Sequence, residues 1–201
     1  MMSTGAEEVL EFWFAKDFCD AHAILENSKR WFKKDDAFDR EIRTRFGELP
    51  EKISTGIFNA WLSTPGGTLA TVICLDQFPR NMYRGSDKAF AYDSLALTYA
   101  LDALDGGLTE KLEPIASVFL YLPLEHSEDL AHQHRCVAGL HALQNKASAI
   151  WQEKIAGFHR YAVAHCEIIE EFGRFPHRND VLNRPSTKKE LSFLASGKGQ
   201  F

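Results

Sequence analysis

Two polar segments of this sequence carry the side chains best suited to binding an anion. DQFPRNMYRG covers residues 76–85, and FGRFPHRNDVLNR covers residues 172–184. In both segments, arginine and asparagine follow a Phe-Pro pair at the end of an apolar stretch. Guanidinium groups recognise carboxylates and phosphates in fixed geometry, often through two hydrogen bonds. The predicted ligand-binding residues are Asp76, Gln77, Arg80, Asn81, Arg84, Arg174, Arg178 and Asn179.

A third segment, LEHSED at residues 124–129, supplies groups that could transfer a proton. Glu125, His126 and Glu128 together could act as general acid and base, or bind a metal. His177 in the second arginine segment is a further acid or base. We predict catalytic roles for His126, Glu128 and His177. In the structural alternative, carboxylates at the start of a helix only complement the positive end of its dipole.

The spacing of the histidines does not favour a metal site. His132 and His134 follow the LEHSED segment, but the sequence has no His-Glu-x-x-His motif. His134 and His141 are two helical turns apart, about 10 Å, which is too far to share one ion. We therefore predict no metal ligand, and the sequence does not indicate the identity of any cofactor.

Each arginine segment also has a purely structural interpretation. Arginine and asparagine after a helix end can bond its unpaired carbonyl groups, and cations favour that end of the helix dipole. Asp76 opposes the dipole at the end of its own helix, so we predict that it pairs with Arg80 or Arg178.

Helices must position these groups, because helical periodicity runs through most of the chain. The strongest apolar stripe extends from Trp151 to Phe172 and should end at Gly173. Further helices are predicted over residues 36–46, 86–104, 109–121, 127–143 and 186–194, with residues 19–34 irregular. The buried helix LATVICLDQF should end near Phe78, because Pro79 interrupts the pattern. The period-two alternation of half-buried strands is not sustained anywhere.

Composition limits the class of protein. The formal charge is −5, which argues against a general nucleic-acid surface. The longest nearly apolar run, IASVFLYLPL, is much shorter than the roughly 18 residues of a membrane span. The four cysteines form no Cys-x-x-Cys pair, and no secretory signal pattern occurs. We predict a cytoplasmic, all-α protein with a single domain over residues 1–201, built as an antiparallel helical array with a flexible tail at about 196–201.

The motifs DQFPRN, LPLEHSED and GRFPHRN, in this order and with VLEFWF before them, closely resemble the bacterial family known as domain of unknown function 924. The resemblance covers nearly the whole chain. It implies an all-helical fold similar to tetratricopeptide-repeat proteins, which we expect to be an irregular right-handed solenoid, but it implies no reaction. Asn183 stands where the family pattern has glycine, and asparagine can adopt the same left-handed conformation.

Three functions remain open from these observations. In the first, both arginine segments and the LEHSED segment face one cleft that binds a small anionic ligand, with or without catalysis. In the second, a peptide-binding or scaffold module holds an acidic peptide or a terminal carboxylate with its arginines. In the third, the same residues form a buried ion-pair network without a ligand. The oligomeric state does not follow from the sequence.

Overall fold

The structure is a computed structural model that describes residues 4–17 and 20–197, and this part of the chain contains helices and no strands. The predicted all-α class is confirmed. The α-helices are α1 Thr4–Trp13, α2 Ala21–Asn27, α3 Asp36–Phe46, α4 Leu49–Ser54, α5 Pro65–Met82, α6 Asp93–Asp105, α7 Pro114–Glu125, α8 Leu130–Lys146, α9 Ala149–Phe172 and α10 Lys188–Ala195. Short 3₁₀ helices occupy Asn59–Ser63, Asp87–Phe90, Leu108–Lys111 and Pro176–Arg178.

Helix α5 lies at the centre of the core. Every residue from Gly67 to Pro79 is buried, because the helix packs against α1, α3, α4, α6 and α7. A helix surrounded in this way is expected to carry apolar side chains on all its faces rather than along one stripe. Its buried polar residues, Asp76 and Gln77 in particular, therefore need partners within the protein.

An aromatic cluster attaches the N-terminal helices to this core. The indoles of Trp13 and Trp31 stack with ring centroids 6.1 Å apart, and Phe119 of α7 packs edge-on against Trp31 at 4.8 Å. The indole N–H of Trp31 donates to the carbonyl of Trp13 over 2.8 Å. The prediction of an irregular segment at residues 19–34 was partly wrong, because Asp20 caps the short helix α2 within it.

Several predicted helix boundaries were also wrong, for identifiable reasons. Pro79 does not end α5, which continues to Met82, because a proline in the last turn removes only one intrahelical hydrogen bond. Ser86 caps the 3₁₀ turn Asp87–Phe90, and α6 begins only at Asp93. Helix α7 begins at Pro114 rather than at residue 109, because proline favours the first turn of a helix. Helix α8 begins at Leu130 rather than at residue 127, because Asp129 caps it by accepting from two backbone N–H groups.

Two predicted left-handed positions are confirmed. Gly173 ends α9 with φ of 68°, and Asn183 has φ of 53° in the turn after the second arginine segment. Both positions reverse the chain, so that residues 174–184 return toward the body of the protein.

Other predictions about the architecture remain open. The solenoid handedness and the single-domain organisation stay predictions, although one continuous set of buried side chains extends from α1 to α9. Most of the predicted flexible tail, residues 198–201, lies outside the described residues. Within residues 4–17 and 20–197, none of the helices combines the length and apolar character that crossing a bilayer requires.

Gly139 allows α8 to approach α7 closely, and this contact is open to test. A Cβ atom at Gly139 would overlap the Tyr121 ring, whereas a Cβ at Gly157 of α9 would meet only the end of Arg160, at 3.9 Å. We expect Gly139→Ala to lower the free energy of unfolding by about 1–3 kcal/mol through overpacking. Gly157→Ala, the matched control, should raise it by up to about 1 kcal/mol because alanine favours the helix. Urea denaturation of both variants measures the difference, and equal effects would show that Tyr121 moves away freely.

Candidate functional site

The predicted site residues fall into separate groups in the structure. Five ionisable residues from four parts of the chain meet, and we call them the central cluster. They come from the last turns of α5, the first turn of α6, the end of α7 and the 3₁₀ turn Pro176–Arg178. Their members are Asp76, Arg80, Asp93, His126 and Arg178.

Asp76 is the most buried carboxylate of the central cluster, with 1% of its surface exposed. His126 Nδ1 lies 2.7 Å from Asp76 Oδ1, and Gln77 Nε2 donates to Oδ2 over 2.6 Å. Arg80 Nη1 is 3.4 Å from Oδ1, so the predicted pairing with Arg80 is confirmed. Burial alone would raise the pKa of Asp76, but the charges of His126 and Arg80 and these hydrogen bonds outweigh it and lower the pKa to about 2.

Arg80 joins α5 to α6 through a bidentate ion pair. Its two terminal nitrogens donate to the two carboxylate oxygens of Asp93 over 2.8 and 2.9 Å. Nη1 also donates to the carbonyl of Asp76 over 2.8 Å. Because 18% of the Arg80 side chain and 23% of the Asp93 side chain are exposed, this pair lies where the cluster reaches solvent.

Arg178 approaches the same ion pair from the second arginine segment, but it is less completely paired. Its Nη1 donates to the carbonyl of His126 over 2.9 Å and is 3.9 Å from Asp93 Oδ2. The guanidinium contacts the rings of Phe90 and Phe175, at 4.9 and 4.4 Å from their centroids. No described residue accepts a hydrogen bond from its buried Nε. Burial and the nearby charge of Arg80 lower the pKa of Arg178 to about 10.

Glu125 lies beside the central cluster and behaves differently from Asp76. Its side chain is buried, and no described residue donates to its Oε2. Burial, together with the negative charge of Asp76, raises the pKa of Glu125 to about 8, so the group holds its proton at neutral pH. His165 Nδ1 lies 3.7 Å from Glu125 Oε1, but it also lies 2.9 Å from the carbonyl of Tyr161. His165 is thus a buried core histidine, as its place on the apolar stripe predicts.

His126 has the geometry of a general base. The contact between its Nδ1 and Asp76 places the ring proton on Nδ1 and leaves Nε2 as an acceptor. Burial and the charge of Arg80 lower the pKa of His126, although Asp76 opposes the shift. The imidazole is therefore neutral near pH 7 and able to take a proton.

Asn81 and Arg84 of the first arginine segment do not join the central cluster. Both bind Asp39 of α3: Asn81 Nδ2 donates over 2.9 Å, and Arg84 donates over 2.6 and 3.0 Å in a bidentate pair. These contacts attach the end of α5 to α3.

Glu128 fastens the second arginine segment to the junction of α7 and α8. It accepts two hydrogen bonds from Arg184, over 2.6 and 3.0 Å, and one from the N–H of Phe175 over 2.8 Å. Burial would raise the pKa of Glu128, but these donors hold it below its usual value. The catalytic role predicted for Glu128 would thus require a carboxylate that these three hydrogen bonds already occupy.

Arg174 and Asn179 act within the C-terminal part of the chain. Arg174 binds both oxygens of Glu190 in α10, over 2.6 and 2.8 Å. Asn179 donates to the hydroxyl of Ser186 over 3.0 Å and accepts from Arg184 Nε at the same distance. The side chain of His177 is exposed and lies beside the ring of Phe175, with centroids 5.5 Å apart. The structure thus gathers only Asp76, Gln77, Arg80, His126 and Arg178 from the predicted residues.

No sequence pattern pointed to Asp93, the residue that the two arginines share. An acidic residue in the first turn of a helix is common, because it complements the helix dipole. The ring of Phe90 likewise contacts both Arg80 and Arg178. Cation–π contacts of this kind leave no spacing pattern that distinguishes them from core packing.

The chain is similar to proteins whose function has not been determined. A family model described as "Bacterial protein of unknown function (DUF924)" matches residues 9–198. A solved structure of a protein of unknown function from Agrobacterium tumefaciens is 32% identical, with a TM-score of 0.80, covering 96% of this chain and 97% of that chain. No curated protein matches the sequence.

The protonated state of Glu125 predicts how stability changes with pH. The unfolded chain ionises Glu125 near pH 4.5, whereas the folded protein keeps its proton until about pH 8. The free energy of unfolding therefore falls as pH rises through this window, by up to about 1.4 kcal/mol per unit. Asp76, His126 and His165 have lowered pKa values and give the opposite slope, but only below about pH 6.5.

Glu125→Gln removes the ionisable group and keeps its shape. Between pH 6.5 and 8 we expect the parent to lose about 1–2 kcal/mol relative to this variant. Denaturation of the parent and of the variant at several pH values measures how the free energy of unfolding of each changes with pH. Near-ultraviolet circular dichroism should confirm that the variant keeps the fold. If the free energy of unfolding changes with pH equally in the parent and in Glu125→Gln, Glu125 is already ionised in the folded protein at pH 6.5.

Proposed function

The chain belongs to the DUF924 family of bacterial proteins of unknown function, and from the geometry of its central cluster we propose that it binds a small anionic molecule at Arg80 and Arg178. His126 would then act on the bound molecule as a general base. The observation that carries the proposal is the incomplete pairing of Arg178, which is only 7% exposed.

A buried guanidinium normally needs a full set of acceptors, because removing its charge from water is costly. Arg178 has one carbonyl as acceptor, a carboxylate at 3.9 Å and two aromatic rings. A carboxylate or phosphate group of a ligand would provide the missing acceptor at Nε. Arg80 pairs with the carboxylate of Asp93, which Arg178 also approaches, and would add a second cation.

The charge balance of the central cluster couples such binding to a proton. At neutral pH, Asp76 and Asp93 balance the two arginines, while Glu125 is protonated and His126 is neutral. An anion entering this balanced cluster brings an extra negative charge. Protonation of His126 would balance this extra negative charge, because an anionic neighbour raises the pKa of the imidazole.

The same groups suggest the type of reaction. Asp76 fixes the orientation of the His126 ring through the contact of 2.7 Å. A base held in this way can remove a proton from a substrate whose acidic group is anchored by the arginines. The limited exposure of Arg80 and Arg178 favours a small molecule over an acidic peptide.

A structural role without a ligand is the second candidate, because specific contacts favour it. Bidentate pairs join Arg84 to Asp39, Arg174 to Glu190 and Arg184 to Glu128. Each pair connects elements that are separated in the sequence. If the central cluster serves the same purpose, removing one partner should lower the free energy of unfolding by about 3–5 kcal/mol and change the binding of no ligand.

The proposal is tested by a thermal-shift screen of the purified protein against anionic metabolites, with divalent metals and acidic peptides as further sets. We expect an anion to raise the melting temperature of the parent. Arg178→Ala should weaken binding at least about tenfold, since a hydrogen bond to a charged group contributes about 1.5–3 kcal/mol. Arg84→Ala is the matched control and should respond like the parent, because Arg84 binds Asp39 outside the cluster.

Arg178→Lys keeps the positive charge and covers the case in which the alanine variant does not fold. It should retain the fold but lose affinity, because lysine cannot reproduce the guanidinium geometry. Grossly destabilised Arg178 variants, with no compound shifting the parent, would instead support the ion-pair network without a ligand.

Proton uptake provides an independent test of the role of His126. With the anion that gives the largest shift, calorimetric titration at pH 7.5 in two buffers of different ionisation enthalpy should show proton uptake by the parent. His126→Gln should bind with less uptake, because glutamine cannot be protonated. Uptake of the same size in parent and variant would assign the proton to another group.

A further inference from the structure

A second group of chemically reactive side chains lies in the groove between α8 and α9 and includes no member of the central cluster. His134 of α8 and Cys166 and Glu170 of α9 each offer one ligand atom, and these atoms lie within 4.8 Å of one another. His134 Nε2 is 3.2 Å from Glu170 Oε1, and Cys166 Sγ is 3.8 Å from the same oxygen. The packing of α8 against α9 produces this arrangement, since Cys166 and Glu170 are one helical turn apart.

Two of these separations, those that involve Glu170, match the edges of a metal tetrahedron. With Zn–S of about 2.3 Å and Zn–N or Zn–O of about 2.0–2.1 Å, tetrahedral angles place N and O about 3.4 Å apart and S and O about 3.6 Å apart. The observed values of 3.2 and 3.8 Å lie within a few tenths of an ångström of these lengths. A metal could therefore enter with small side-chain adjustments.

The donor set selects the kind of ion. One thiol, one imidazole and one carboxylate suit a borderline metal, whereas magnesium and calcium require oxygen ligands. We propose that His134, Cys166 and Glu170 form a three-ligand site for Zn²⁺. The Cys166 thiol has a raised pKa, mainly because of burial, but a coordinated metal removes the proton of its thiol ligand outright.

The surroundings of the site leave a fourth coordination position accessible. The three ligands line a surface groove of about 570 Å³ between α8 and α9. His141 and His159 line the same groove, with ring centroids 5.4 Å apart. His134 and Glu170 are exposed, so water or a small molecule can reach the ion directly. Three protein ligands with an open fourth position are the arrangement of catalytic zinc sites.

This site is independent of the anion site proposed above, and it differs from our prediction that the chain has no metal ligand. That prediction compared His134 with His141 on the same helix, and their separation does exclude a shared ion. The partners of His134 are instead supplied by α9, which the spacing along α8 does not reveal.

The test uses the full chain without a histidine tag, treated with a chelator and then titrated with Zn²⁺ or Co²⁺. We expect one equivalent of metal to bind. The cobalt form should show the near-ultraviolet charge-transfer absorption of a thiolate ligand and the strong visible bands of tetrahedral cobalt. Cys166→Ser, His134→Gln and Glu170→Gln should each weaken binding at least about 100-fold, because losing only an outer-shell partner already costs 10–100-fold.

Glu171→Gln is the matched control for the carboxylate ligand, since Glu171 neighbours Glu170 on α9 but pairs with Lys189. It should bind metal like the parent. Far-ultraviolet circular dichroism of each metal-free variant should confirm that the fold is intact. Failure to bind one equivalent, cobalt spectra without thiolate absorption, or equal affinity in parent and Cys166→Ser would each overturn the proposal.

Discussion

Helix α5 is buried on all sides, and its last turns carry charged side chains that have little access to water. Asp76 can remain ionised there only because Arg80, His126 and Gln77 surround it. Arg80 in turn needs Asp93, and through Asp93 it fixes where α6 begins. Helix α6 and the α7–α8 junction each supply a partner to a charge that α5 introduces into the core, and residues 174–184 add Arg178 beside Asp93.

The remaining ion pairs extend the same principle outward from the core. Asp39 holds the end of α5 through Arg84, Glu128 holds the second arginine segment through Arg184, and Arg174 holds α10 through Glu190. These pairs are more exposed than Asp76 and contribute less individually. Arg178 differs from them, because it is buried as deeply as the core but has fewer acceptors. Arg84, Arg174 and Arg184 each form a bidentate ion pair and Arg178 does not, and this difference is the indication of a ligand at Arg178.

The sequence predicted the helices and the pairing of Asp76 with Arg80, because helical periodicity and i,i+4 spacing are local properties. It also predicted the left-handed turn at Asn183. The likeness of the two arginine segments was misleading, since Arg80 belongs to the last turn of an α-helix and Arg178 to a 3₁₀ turn. Asp93, Arg184 and the His134–Cys166–Glu170 group were missed. Their partners come from distant parts of the chain, and no local pattern records such contacts.

The separation of Asp93 and Arg178 along the chain has a consequence for how the protein is made. Contacts between neighbouring helices such as α7 and α8 close short loops, whereas the approach of Arg178 to Asp93 closes a long one. On the ribosome, Asp76, Arg80 and Asp93 emerge well before residue 178, so the helices around α5 can assemble before the last member of the cluster exists. The cluster is therefore completed only after residue 178 has been synthesised, and a protein truncated before the second arginine segment would lack it.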